Sequence, residues 1–244
     1  MTKEEKLQET LKKLFEDVKK EEVMAVYVSG SYLNNLMVET SDIDLFVVLK
    51  QNKYNLVMSQ FHSGQNHGEY DYKYMESYKF VQMLVKTNPN MLELVFKYPV
   101  YVSESFKPLA DFLYENRNEV VRVNLERYYS SSYHMLKNNY NKLKNGTGKV
   151  LRNQAGKESM NFYKTYHQVK GFSQGKDMQE FVELSGDLRE FLLETKLKQS
   201  YTEQEKKQEL KKMEECLEEL KELSEKHVGV QMNFELVDEM VELL

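Results

Sequence analysis

Apolar positions change period along this chain, alternating in its early strands and recurring every three or four residues almost everywhere later. Leu7, Leu11, Leu14, Phe15 and Val18 follow a capping box at Thr2-Lys3-Glu4-Glu5, which predicts an amphipathic helix over 3–20. Two β-rich runs come next, Val23–Ser29 and Asp42–Leu49, and a third is expected over Glu69–Tyr74. The polar connector over 50–68 has little periodicity, as expected of a loop or one short helix. Helical spacing returns over 75–87, where Tyr78, Val81, Leu84 and Val85 share a face. Asn88-Pro89-Asn90 ends that helix and starts a short one through Phe96.

Beyond Ser105 the pattern is helical, with breaks at 145–148, at 171–175 and near Gly229. Thr202-Glu203-Gln204-Glu205 caps a charge-dense helix whose narrow stripe is Leu210, Met213, Leu217, Leu220 and Leu223. That helix could fold back on its own domain or meet a partner chain. The expected class is α+β: a small mixed-sheet domain over 1–102, then an all-helical domain over 103–244.

Composition narrows the classes. With 244 residues, 41% hydrophobic and 30% charged, the chain has material for a sizeable core. A net charge of −5 argues against a broadly basic nucleic-acid surface while leaving room for a local one. The single Cys216 excludes an internal disulfide framework and fits a reducing cytoplasm. No apolar run approaches the roughly 20 residues of a membrane span, and the first twenty residues hold charges throughout. A cytoplasmic protein with no membrane partner is expected.

The chemistry concentrates at Gly30-Ser31 and Asp42-Ile43-Asp44. Residues two apart on a strand share a face, so Asp42 and Asp44 should project together while Ile43, Leu45 and Val47 enter a core. Paired carboxylates suit Mg²⁺, a hard cation that takes oxygen ligands and substrate phosphates. Gly30 lets the backbone approach a phosphate closely, and Ser31 adds a hydroxyl to the same cradle. Asp71, with Glu69 two residues earlier, is the candidate third carboxylate; it could complete a metal site and accept the proton of an attacking hydroxyl. Lys157 and Lys164 are seven residues apart on one expected helix face, as candidate phosphate contacts or as a solvated basic face. Asn88 and Asn90 read as helix caps, and Glu93 as a buried, paired carboxylate.

Gly-Ser, a spacer and Asp-x-Asp on the next strand resemble the DNA polymerase beta-type nucleotidyltransferase superfamily. The downstream runs 70–80 and Asn88-Pro89-Asn90-Met91-Leu92-Glu93-Leu94 are similar to its predicted nucleotidyltransferase group linked to RNA repair. Lys157-Glu158-Ser159-Met160-Asn161-Phe162-Tyr163-Lys164 matches a helical signature of that group, with Asn161 and Lys164 where it favours His and Arg. After Gly-Ser the group has a basic residue and a second glycine, whereas this chain has Tyr32-Leu33-Asn34-Asn35.

The resemblance implies a nucleotidyltransferase catalytic domain in the first half. It implies one or two Mg²⁺ ions on Asp42, Asp44 and Asp71, and nucleotide contacts from Gly30, Ser31, Lys157 and Lys164. The implied reaction moves a nucleoside monophosphate from an NTP, ATP favoured, to an acceptor such as an RNA end, releasing pyrophosphate. Two other readings keep the fold: a toxin–antitoxin-type adenylyltransferase acting on a partner protein, and a non-catalytic nucleotide-binding module. A small-molecule acceptor also fits.

Overall fold

Val23–Ser29 is almost continuously apolar, the pattern of a strand covered on both faces, and it forms the strand β1, buried over its first six residues. The structure, a computed structural model, describes residues 2–39, 41–58, 60, 63–67 and 71–244, with Asn66, His67 and Asp71 described by backbone alone. In chain order its first half contains α1 (Lys3–Asp17), β1, α2 (Gly30–Leu33), β2 (Asp44–Leu49), α3 (Lys53–Val57), β3 (Ser63–His67), β4 (Asp71–Glu76), α4 (Ser77–Val85), α5 (Pro89–Leu92) and β5 (Tyr101–Val102). Then come α6 (Lys107–Glu115), α7 (Arg117–Arg122), α8 (Leu125–Asn145), α9 (Ala155–Ser173), α10 (Gln179–Val182), α11 (Gly186–Leu197), α12 (Glu203–Lys226) and α13 (Phe234–Glu242). The class is α+β, a mixed sheet in the first half followed by helices.

The chain divides into two compact units. One comprises Met1–Lys86, Asn90–Val123 and Asn233–Leu244; the other comprises Thr87–Pro89 and Asn124–Met232. The first unit thus continues past residue 102, where the hydrophobic pattern divides the chain, and takes in the last helix. Asn233 N–H donates to Val123 O at 2.9 Å, and Leu236 and Met240 of α13 are buried.

The sheet of the first unit has the order β3-β4-β2-β1-β5. β2 pairs antiparallel with β1 and parallel with β4, so the three strands expected from sequence are neighbours. Two of their boundaries move. β2 begins at Asp44, leaving Asp42 in the approach to the strand, and β4 runs on to Glu76. Glu69 and Tyr70 lie outside the described residues. Phe80 of α4 covers one sheet face, its ring 5.7 Å from Tyr27 and 6.0 Å from Phe46. On the opposite face Phe15 of α1 meets Tyr101 edge-on at 5.0 Å. Phe46 and Val48 are therefore as buried as Leu45 and Val47, and Asp44 stands at the end of a covered face.

The second unit is built around α9. Fourteen of its 19 residues are buried, so it is a central helix and not an amphipathic one. Glycine makes this packing possible: a Cβ at Gly156 would lie 2.0 Å from Thr195 O, and one at Gly171 would lie 2.1 Å from a Phe181 ring carbon. The charge-dense α12 folds back on its own unit, burying Met213, Leu217 and Leu220. Tyrosine hooks fix it: Tyr140 donates to Glu214, and Tyr166 donates to Glu219 at 2.7 Å. Burial pushes the neighbouring Cys216 thiol up to about 11, which leaves little thiolate for chemistry at neutral pH.

Gly156→Ala should destabilise the protein by about 1–3 kcal/mol through overpacking, although alanine is the better helix former by up to about 1 kcal/mol. Thermal denaturation measures the sign directly.

Candidate functional site

β1 must hand its chain to β2 at one end of the sheet, and Ser29-Gly30-Ser31 makes that departure. Gly30 takes φ +59, a left-handed conformation that costs other residues about 1–2 kcal/mol. A Cβ there would lie 2.3 Å from Asp44 Oδ2, so the Asp44 carboxylate rests against the bare Cα of Gly30. The strand register causes this approach: Ser29 stands opposite Asp44, and Ser29 Oγ donates to Asp44 O at 3.3 Å.

The short α2 that follows is tied down from the 90s. Leu36 N–H closes onto Ser31 O at 2.8 Å, and Asn34 N–H onto Gly30 O at 3.1 Å. The Asn34 side-chain amide donates to Glu93 Oε2 at 3.2 Å, both residues being buried. The Lys97 ammonium lies 5.3 Å from the centre of the Tyr32 ring, a cation–π distance. Glu93 is thus the paired carboxylate that its apolar neighbours Leu92, Leu94 and Val95 imply.

Asp42 precedes the strand with its side chain 86% exposed. Lys6 of α1 reaches to 3.9 Å from Asp42 Oδ1 and donates to Ser41 O at 2.5 Å. Asp44 is half-buried, with Ile43 buried between the two. Carboxylates two apart therefore occupy different settings, one open to water and one packed on the Gly30 turn. Asp71 enters by backbone position. Leu45 pairs with Tyr72 in the parallel β2–β4 ladder, so Asp71 stands one step back, level with Asp44. Ser29, Asp44 and Asp71 thus occupy one row across three strands.

Lys157 and Lys164 belong to α9 in the second unit. Lys157 is half-exposed, whereas Lys164 is buried at 8% exposure, which corrects the expectation of a shared solvated face. A helix buried on nearly every side leaves no such face at that position. Among the described side chains no group of three His, Cys, Asp or Glu converges as a metal cage, and Asp71 is not among them. Lys97 and Asn34 at the turn, and Lys6 beside Asp42, carry no sequence signal of their own. Their relevance comes from long-range contact.

Among the described residues no helix is long and apolar enough to cross a membrane. Residues 11–120 match the family model described as Nucleotidyltransferase domain, a span that includes Gly30, Ser31, Asp42, Asp44 and Asp71. No curated protein matches the chain. Among solved structures, a nucleotidyltransferase-like protein from Exiguobacterium sibiricum 255-15 is similar at 11% identity, covering 91% of this chain and 78% of its own, with a TM-score of 0.38. The stretch that is similar to the nucleotidyltransferase domain thus runs from within α1 to within α7 and contains the whole five-stranded sheet.

Proposed function

We propose that this chain is a divalent-metal-dependent nucleotidyltransferase that moves a nucleoside monophosphate from an NTP, ATP favoured, to an acceptor and releases pyrophosphate. The observation that carries the reading is the Asp44 carboxylate packed on the Gly30 turn. The domain match across the same residues supports it.

The donor set suits magnesium. Asp42, Asp44 and Asp71 offer only hard oxygen ligands, without the thiolate or imidazole donors that favour zinc. Asp42, open to solvent, and Asp44, held by β2, would hold the cation, with Asp71 joining from the next strand. A bound divalent ion would supply charge stabilisation to the phosphoryl oxygens and to the departing pyrophosphate. The chain's own contribution is positional. Gly30, lacking Cβ, admits the triphosphate close to the backbone, and the Ser31 hydroxyl adds a donor. Lys97 brings positive charge to the margin of the same turn, and Lys6 brings it to Asp42 in the approach to β2. Asp71, level with Asp44, would accept the proton from the acceptor hydroxyl. The new bond joins the acceptor oxygen to the α-phosphorus, and the bond to the β-phosphate oxygen breaks.

Incubation with each α-³²P-labelled NTP and pools of RNA, protein and small molecules tests the reading. Mg²⁺-dependent labelling of one pool is expected. Asp42→Asn and Asp44→Asn should each lower it by more than about 100-fold, beyond the usual effect of losing a residue that only hydrogen-bonds to a metal ligand. Labelled protein would identify the adenylyltransferase alternative, and NTP binding without transfer of label would identify the non-catalytic nucleotide-binding module.

Gly30→Ala gives an independent check on geometry. The strain of φ +59 should cost about 1–2 kcal/mol, since the clashing carboxylate can swing away. Transfer should nevertheless fall steeply, because the displaced group is Asp44. A folded Gly30→Ala protein with unchanged activity would contradict the site.

A further inference from the structure

Residues 137–157 contain Lys137, Lys142, Lys144, Lys149, Arg152 and Lys157 and no Asp or Glu, within a chain of net charge −5. The segment comprises the end of α8, a 3-10 turn over Gly148–Arg152 and the start of α9. Its backbone is pinned. Gly146, Gly148 and Asn153 all take left-handed conformations, at φ 65, 66 and 54. Lys149 N–H donates to Glu158 Oε1 at 3.1 Å. A Cβ at Gly148 would lie 3.0 Å from that same oxygen and 3.1 Å from the Lys142 side chain. Glu158 is 2% exposed and is bonded to the turn's backbone, so it adds little negative charge to the surface.

A distant segment adds a further cation. Ala155 and Gly156 N–H donate to Gln199 O and Lys198 O at 3.1 and 2.9 Å, which brings Lys198 beside the start of α9. Glu205 is the acid whose charge reaches Lys198. Among the described residues no ion pair joins Lys142, Lys144, Arg152 or Lys157 to a carboxylate. Lys144 lies 5.4 Å from the Tyr140 ring centre instead. Lys144 and Arg152 are exposed, as are the amides of Asn145 and Asn153.

We propose that this rigid basic turn is a binding surface for the phosphate backbone of a nucleic acid. Lysine is depleted at protein interfaces, whose centres need apolar area, and here Leu151 is the turn's exposed large apolar residue. Ammonium groups spread over a fixed turn, with asparagine amides between them, match the donors that contact phosphates. A nucleic acid bound there is the acceptor class that, resting on the proposed transfer, the turn's own charge favours. The surface stands on the charge cluster alone, so its failure leaves that reaction open to other acceptors.

Fluorescence anisotropy of the full-length protein with a labelled single-stranded RNA of about 20 nucleotides, without NTP, tests the proposal. Binding should weaken with salt by about 0.7 log units per neutralised phosphate for each log unit of salt. Replacing Lys144, Arg152 and Lys157 by Gln together should lower affinity at least about 10-fold and flatten the slope by about 2. The control Lys207→Gln/Lys211→Gln/Lys212→Gln changes net charge equally on the exposed face of α12, and should leave both nearly unchanged. Both variants should melt within a few degrees of wild type. Failure of wild type to bind RNA or the equivalent DNA, equal losses in the two triple variants, or preferential binding of polyglutamate would overturn the proposal. Label transfer by wild type, measured separately, reports on the reaction itself.

Discussion

The antiparallel pairing of β1 with β2 is the constraint on which the first unit depends. Its register sets Ser29 against Asp44, and only a glycine can then occupy the next position without meeting that carboxylate. The same pairing fixes β2 as the shared centre of the sheet, with β1 on one side and β4 on the other. Apolar burial on both sheet faces, through Phe80 on one and Phe15 on the other, holds this register. A one-residue slip would move every β2 side chain to the opposite covered face and carry the Asp44 carboxylate away from the Gly30 turn. The hydrophobic core therefore places the carboxylate.

Around that point the polar contacts form a support. The buried Asn34–Glu93 bond anchors the end of α2 to a residue 59 positions along the chain, the first of the 3-10 turn at Glu93–Phe96. A buried carboxylate with an amide donor is costly to break and easy to misplace, since loss of either partner leaves the other unsatisfied. Such a contact fixes the Gly-Ser turn more firmly than α2, four residues long, could fix itself.

Much of this was legible in the sequence because the signals were local. The apolar run Val23–Ser29 and both threonine capping boxes each rest on residues within a few positions of one another, and each appears in the structure. Other features depend on distant partners. β3, Ser-Gly-Gln-Asn-His, has no apolar alternation and is a strand because β4 offers an edge. β5 is two residues long and is defined by its pairing to β1. Asp42 lies outside the strand because the ladder starts at Ser29 and Asp44. The burial of Lys164 follows from α9 being enclosed by α8, α11 and α12, which helical spacing alone does not reveal. The basic turn was written in the sequence, but its rigidity comes from Glu158 and from the carbonyls of residues 198 and 199.

The central claim is that one row at the sheet end, with Asp42 before it, receives a metal-bound triphosphate. A crystal structure with Mn²⁺ and a non-hydrolysable NTP analogue tests it most directly, because anomalous scattering locates the ion independently of the protein. The account expects an anomalous peak within coordination distance of Asp42 and Asp44, Asp71 completing the set, and the triphosphate against Gly30 and Ser31. A triphosphate bound elsewhere, or an ion that none of these carboxylates touches, would contradict it.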